Sequence, residues 1–244
     1  MSHDLNGRCV VITGAAGGIG TAMAEAFAST GARLALVDLR APEVLAARLG
    51  PGHGAWACDL AQPAEIARTT AEIGDQMGID VLINNAGLGI VAPAEEMSVD
   101  DWDRTQAINL RAPWLMACAA LPYLKASGRG RVVNIASQAG LIAIAEHAAY
   151  GASKAGLIGL TKVLALEWAR FGITVNAISP TVVETPMALV GWSGEKGERA
   201  KAAIPVGRFA KPAEIAHAAV YLASVHAGIV TGENLVMDGG FTIQ

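Results

Sequence analysis

Short apolar runs recur along the whole chain: Arg8–Thr13, Ala32–Asp38, Gly54–Cys58, Asp80–Asn84, Gly130–Ala136, Ile173–Ile178 and Asn234–Met237. Each is about as long as a strand. Most are continuous Val, Ile, Leu and Ala without polar alternation. That pattern belongs to strands buried on both faces, as in a parallel sheet covered by helices. Helix-like segments lie between the runs. Thr21–Thr30 and Pro63–Gln76 are periodic. Ser98-Val-Asp-Asp101 has the form of a capping box and opens a helix towards Ala126. Ala148–Phe171 carries apolar residues at helical spacing, and Pro212 stands at a first-turn position. Strand–helix alternation with right-handed crossovers predicts an α/β fold, a doubly wound sheet of seven mostly parallel strands with helices on both faces.

No repeat or linker divides the chain, so residues 1–244 read as one domain. Its one long irregular stretch is about Pro180–Lys201, which at that length reads as a lid or binding loop. With 52% hydrophobic and 16% charged residues the chain is not disordered. A net charge of −4 leaves no electrostatic footprint for nucleic acid or an anionic membrane. The longest uncharged stretches, Cys9–Ala24 and His217–Gly232, fall short of the ~20 residues of a bilayer span. Met1-Ser2-His3-Asp4 has no basic leader signature. Cys9, Cys58 and Cys118 form no CxxC pair, and read as core residues of a reducing compartment. Together these predict a soluble, cytoplasmic protein. His3, His53, His147, His217 and His226 show no metal-ligand spacing, so no catalytic metal is expected.

Three groups of residues carry chemistry. Thr13-Gly14-Ala15-Ala16-Gly17-Gly18-Ile19-Gly20 follows a strand and opens a helix. Its glycines let the backbone approach a pyrophosphate at the helix N-terminus, although a plain tight turn would use them too. Asp38 ends the second strand, where a carboxylate can accept from adenosine ribose hydroxyls and repel a 2′-phosphate. The bland alternative is a solvated strand-end Asp. Tyr150 and Lys154 share a helix face, and Ser137 lies just past the fifth strand, at the edge where open α/β sheets bind ligands. A nearby ammonium favours the phenolate, so the spacing predicts a Tyr150 phenol lowered from its usual ~10 and usable as acid and base. Taken alone, Tyr-x3-Lys is usually a solvated helix pair.

At these residues the chain resembles the short-chain dehydrogenase/reductase family. The likeness rests on Thr13–Gly20, Asn84-Asn85-Ala86-Gly87, Asn109, Ser137 and Tyr150-Gly-Ala-Ser-Lys154, and runs from residue 8 to about 240. It implies a Rossmann-type, NAD-dependent oxidoreductase acting on CH–OH groups, with a tetrad of Asn109, Ser137, Tyr150 and Lys154. Ser137 would bond the carbonyl oxygen, Tyr150 exchange the proton, Lys154 also hold the nicotinamide ribose, and Asn109 hold a water linking Lys154 to solvent. The resemblance further implies cofactor contacts at Gly14, Gly18, Ile19, Gly20, Asp38, Asp59, Leu60, Asn85, Gly87, Val183 and Thr185. One departure is Pro180-Thr181, where the family usually has Pro-Gly. Members that prefer NADP commonly carry a basic residue in the glycine loop or after the second strand. Ala16 and Leu39 stand there, with Arg40 as a weak counter-signal.

The stretch Pro180–Met187, Trp192, Ile204–Ala210, Ser137-Gln138 and the segment Asp238–Gln244 look like the L-xylulose reductase and polyol dehydrogenase branch. That likeness implies polyol and ketose substrates. Gln138, His147, Glu184 and Trp192, with Ser137 and Tyr150, are the candidates to meet such a substrate. His147 could instead cap its helix, and Trp192 could pack the lid. The alternatives are a 3-oxoacyl-thioester reductase, another secondary-alcohol dehydrogenase, or a non-catalytic dinucleotide sensor. Gly151, Ala155 and Gly159 form a small-residue stripe that could pack on the chain's own sheet. By resemblance, the same helix pairs across subunits and implies a homotetramer. Pro113 lacks the N–H that would bond the Asn109 carbonyl in the helix begun at Ser98; either packing tolerates a kink there, or the carbonyl is kept free for the relay water that the resemblance implies next to Lys154.

Overall fold

The computed structural model describes residues 5–244. The readings of Met1–Asp4 and His3 fall outside them. Strands β1 (Cys9–Thr13), β2 (Arg33–Asp38), β3 (Gly54–Ala57), β4 (Val81–Asn84), β5 (Arg131–Ile135), β6 (Thr174–Pro180) and β7 (Asn234–Met237) form one sheet. Its order is β3-β2-β1-β4-β5-β6-β7, and every neighbouring pair is parallel rather than mostly so. The order reverses beside β1, so the crevice for a ligand opens at the carboxyl ends of β1 and β4. The helices are α1 (Gly18–Ala28), α2 (Glu43–Leu49), α3 (Pro63–Met77), α4 (Val99–Gln106), α5 (Ala112–Ala126), α6 (Ala148–Trp168), α7 (Pro186–Gly191), α8 (Gly194–Ala202) and α9 (Pro212–Ala223).

The uninterrupted apolar runs are explained by two cores. Val10, Ile12, Leu34 and Leu36 face one side of the sheet and pack with Met23 and Phe27 of α1 and Ile215 of α9. Val11, Ala35, Val37, Leu82 and Val132 face the other and pack with Ile66, Ile73, Met116 and Trp168. Successive strand residues therefore serve opposite cores. Each large side chain so buried contributes about 1.5–3 kcal/mol of transfer free energy.

Two expectations change. The stretch 180–201 is not irregular: it holds α7 and α8. Thr185 accepts from the Ala188 N–H at 3.2 Å to cap α7, with Pro186 in the first turn. On α8, Glu195–Arg199 and Glu198–Lys201 pair along one helix. The helix begun at Ser98 stays helical to Ala126 but changes its winding, in a form the sequence did not specify. A π-helical turn, Ala107–Arg111, separates α4 from α5, and Pro113 follows it at the start of α5.

Candidate active site

The loop between β1 and α1 has no room for side chains. A Cβ on Gly14, whose φ is +64°, would lie 2.8 Å from the Ala86 Cα. One on Gly18 would lie 2.7 Å from Thr185 Cγ2, and one on Gly20 would collide with the Gly14 carbonyl. At the entrance to α1 no side chain caps the helix, and the N–H groups of Gly18, Ile19 and Gly20 meet no acceptor among the described residues. These unsatisfied donors carry the positive end of the helix dipole. A pyrophosphate fits that cradle in both shape and charge.

Neighbouring residues hold the loop in place. Thr13 Oγ1 accepts from the N–H groups of Asn85 and Ala86, both at 3.1 Å. The Asn85 amide donates to the carbonyls of Thr13 and Gly14 at 2.9 and 3.0 Å. Asn85 thus ties β4 to the glycine loop, and its amide is spent on that bond rather than presented to the cleft. Asp38 accepts from Ala16 N at 2.9 Å and Leu39 N at 2.8 Å. Its carboxylate is fixed beside the loop with lone pairs left for further donors. Asp59 accepts from Ala61 N at 2.9 Å. The Leu60 side chain belongs to the core beneath α3, and so does Val183 to the core beneath α1. Val183 pairs with Ala210 through the backbone.

The tetrad residues come together at the ends of β4 and β5. Lys154 is buried, and its Nζ donates to the Ile135 carbonyl at 2.7 Å. It lies 5.6 Å from the Tyr150 ring centroid. Burial pulls its ammonium down to about 8. The nearby Ser137 hydroxyl lowers the Tyr150 phenol, but burial outweighs this and raises it. That reverses the direction predicted from the four-residue spacing, because the Lys154 cation is held on a carbonyl and is itself destabilised by burial. A Cβ on Gly87 would stand 3.4 Å from Asn109 Oδ1 and 3.5 Å from Lys154 Nζ, so these three residues meet. Both hydrogens of the Asn109 amide are used. It accepts from Leu88 N at 2.8 Å and donates to Leu88 O at 2.9 Å and Ser153 Oγ at 3.1 Å. Ser153 in turn donates to the Tyr150 carbonyl at 2.7 Å. A water donating to Asn109 therefore has two acceptors to reach, the second Oδ1 lone pair and the main-chain carbonyl in the π-helical turn.

The substrate candidates divide. His147 is close to the phenol, its ring 6.0 Å from that of Tyr150 and nearly perpendicular. Its Nδ1 lies 2.7 Å from the Ala145 carbonyl, which can only accept. Nδ1 must carry the hydrogen, leaving Nε2 an acceptor. Glu146, just before it, has φ +66°, and no other described non-glycine residue has a positive φ. Gln138 is buried next to Ser137 with Oε1 unpartnered. Trp192 packs edge-on against buried Phe209, 6.3 Å between centroids, under the Lys196 ammonium at 4.9 Å. Its partners belong to the lid. Glu184 has its N–H on the Ala210 carbonyl at 2.9 Å and lies in the field of Arg208.

Sequence reasoning missed Thr13 as the clamp, Ser153 as the partner of Asn109, and the buried amide chain from Asn84 to Asn134 at 2.8 Å and on to Thr161 at 2.9 Å. The repeated Asn in these runs was the available signal for that chain. On α6, a Cβ on Gly151 would be 3.1 Å from the Ala139 carbonyl, so Gly151 serves its own chain. Ala155 and Gly159 face outward. Among the described residues no group of three or more His, Cys, Asp or Glu is placed to hold a metal. Among the described residues no helix is long and apolar enough to cross a membrane.

Residues 14–242 match a family model described as enoyl-(acyl carrier protein) reductase. The chain is 49% identical to D-threitol dehydrogenase of Mycolicibacterium smegmatis, over 98% of this chain and 95% of that protein. It is 43% identical to NAD-dependent glycerol dehydrogenase of Listeria innocua, over 99% and 96%. Its structure superposes with a TM-score of 0.94 on a candidate NAD(P)-dependent gluconate 5-dehydrogenase of Beutenbergia cavernae with NADP bound at low occupancy. That chain is 37% identical, and the match covers 100% of both.

Proposed function

The chain belongs to the short-chain dehydrogenase/reductase family, and from that premise we propose that it oxidises a secondary hydroxyl of a small polyol to the ketose with NAD. The observation that carries this reading is the buried Lys154 ammonium 5.6 Å from the Tyr150 ring, with Ser137 near the phenol, at the sheet edge next to a cradle fit for a pyrophosphate. The 3-oxoacyl reductase and sensor alternatives have no observation of their own in their favour.

In this reading Gly14, Gly18, Ile19, Gly20 and Gly87 line the dinucleotide. Thr185 lies against it from the lid side, where it already meets Gly18. Asp38, Asp59, Leu60, Asn85 and Val183 shape its adenosine and nicotinamide ends, the last three through backbone. The dinucleotide, when bound, supplies the hydride acceptor. Asp38 receives the ribose hydroxyls and turns away a 2′-phosphate, which makes NAD the preferred cofactor.

The Ser137 hydroxyl bonds the substrate oxygen and orients it towards the Tyr150 oxygen, which takes the hydroxyl proton. The Lys154 ammonium, once brought towards the phenol, favours the phenolate. Asn109 fixes the segment at Leu88 and the N-terminal turn of α6, and so keeps Gly87 against Lys154. His147 Nε2 accepts from a second substrate hydroxyl, and the Gln138 amide lies within the same pocket. Glu184 and Trp192 act on the lid. Ala155, Gly159 and the exposed Val163 and Leu166 continue along α6 as an apolar stripe, and we propose that it joins subunits into a homotetramer. A panel of three- to six-carbon polyols with NAD and NADP tests the reading. Turnover confined to acyl thioesters would sink it.

A further inference from the structure

The segment carrying α7 and α8 is rooted at both ends. At its start, Val183 bridges to Ala210, the Glu184 N–H donates to the Ala210 carbonyl at 2.9 Å, and Thr185 rests on the glycine loop. Its far end, Ala203–Val206, rests on a turn formed by Asp238–Gln244. Val206 N donates to the Gly239 carbonyl at 3.1 Å. A Cβ on Gly239 would lie 2.6 Å from Ile204 Cγ2, and one on Gly240 would lie 3.2 Å from Pro205 Cγ. The backbone of the two glycines therefore packs directly on the side chains of Ile204, Pro205 and Val206. Both glycines have positive φ, +65° and +90°, which an L side chain would strain.

The turn is itself rigidly organised. Asp238 is buried, and its carboxylate accepts from Gly240 N at 2.9 Å and Thr242 N at 2.7 Å. This brings the Gln244 amide to the Ala203 carbonyl, at 2.7 Å. Ala203 is the C-cap of α8, where carbonyls lack intrahelical partners. Gln244 supplies one of those partners from outside the helix.

We propose that the Asp238–Gln244 turn is the anchor of the substrate lid, with Gln244 a positioning residue that sets where α8 sits by bonding its terminal carbonyl. This rests on the reading that the lid covers a polyol. In that case Gln244 governs how well the pocket fits the polyol while leaving the dinucleotide cradle, which is built on α1, alone.

The test compares Gln244→Ala, which removes the donor, with Gln244→Lys, which keeps one of similar reach. In Gln244→Ala the polyol KM rises by roughly three- to tenfold, the loss of one hydrogen bond. The NAD KM, kcat and Tm stay as in the parent, and Gln244→Lys restores the polyol KM. Hydrogen–deuterium exchange without substrate reads the anchor separately. Amides of residues 194–206 exchange faster in Gln244→Ala and return to parental rates in Gln244→Lys. Unchanged exchange overturns the proposal, as does faster exchange with an unchanged polyol KM or an equal rise in the NAD KM. Should the parent turn over no polyol, the polyol reading fails. The exchange comparison then still decides the anchor.

Discussion

The Lys154 ammonium is bonded at 2.7 Å to the carbonyl of Ile135, the last residue of β5, so the cation of α6 is clamped to the strand that leads into Ser137. The bond places the cation beside the Tyr150 ring but satisfies it on a carbonyl. Two consequences follow for stability and for proton transfer.

The first is a pH dependence of folding. Burial holds Lys154 at about 8 in the folded protein, below the 10.5 of a free lysine. Between those values the unfolded chain binds the extra proton, so folded stability rises with pH. A Lys154→Met variant lacks this term. From pH 8 to 9.5 the parent should gain about 2 kcal/mol relative to Lys154→Met in denaturant unfolding. A gap that stays constant with pH contradicts the placement of Lys154.

The second concerns turnover. Tyr150→Phe keeps the ring and removes the proton carrier, so kcat should fall by about 10²-fold or more with Tm unchanged. In the parent, oxidation should rise with pH as the phenol ionises, and this limb should vanish in Tyr150→Phe. Retained turnover would mean that the proton leaves by another route.

Glu146, with φ +66°, immediately precedes His147. A non-glycine residue at φ +66° costs on the order of 1 kcal/mol. Glu146→Gly should therefore leave Tm equal or higher despite the flexibility it introduces. His147→Ala should raise the polyol KM roughly tenfold and leave the NAD KM unchanged. An equal change in both constants would remove His147 from the substrate side.

Pro113 follows the π-helical turn that contains Asn109. Pro113→Ala restores an N–H and lets regular α-helix form through that turn. Turnover should then fall while Tm holds or rises. A structure of the variant that keeps the π-helical turn, together with unchanged turnover, would make the proline a packing feature only.

The sheet was readable because both of its faces are buried, which leaves strands as unbroken apolar runs such as Val10–Ile12 and Leu34–Val37. The place of the lid was readable, but its helices were not. Its helices α7 and α8 are short and charged and depend on the Thr185 cap and on surface ion pairs, which leave little apolar periodicity. In the site, residue types and order singled out Ser137, Tyr150, Lys154 and Asp38 as candidates, because the proposed chemistry demands those side chains. Spacing could not say what each side chain bonds to. Lys154 finds the Ile135 carbonyl, Asn109 finds Leu88 and Ser153, and Asn85 finds Thr13 and Gly14, all through long-range folding. The raised Tyr150 phenol is likewise a property of burial, which no local pattern records.

The proposed cofactor selectivity rests on Asp38. The bond from Ala16 N holds its carboxylate beside the glycine loop, and on the proposed reading its repulsion of a 2′-phosphate should favour NAD over NADP by at least about tenfold in kcat/KM, roughly 1.4 kcal/mol. Asp38→Ala should shrink that ratio.

The central claim is polyol oxidation with NAD, and initial rates of nicotinamide reduction test it most directly. They should be measured with D-threitol, glycerol, sorbitol and their stereoisomers, each with NAD and with NADP, in the parent and in Tyr150→Phe. The account predicts saturable reduction of NAD by at least one polyol, weaker with NADP and lost in Tyr150→Phe. No reduction with any polyol, or equal kcat/KM with both cofactors in the parent, would contradict it.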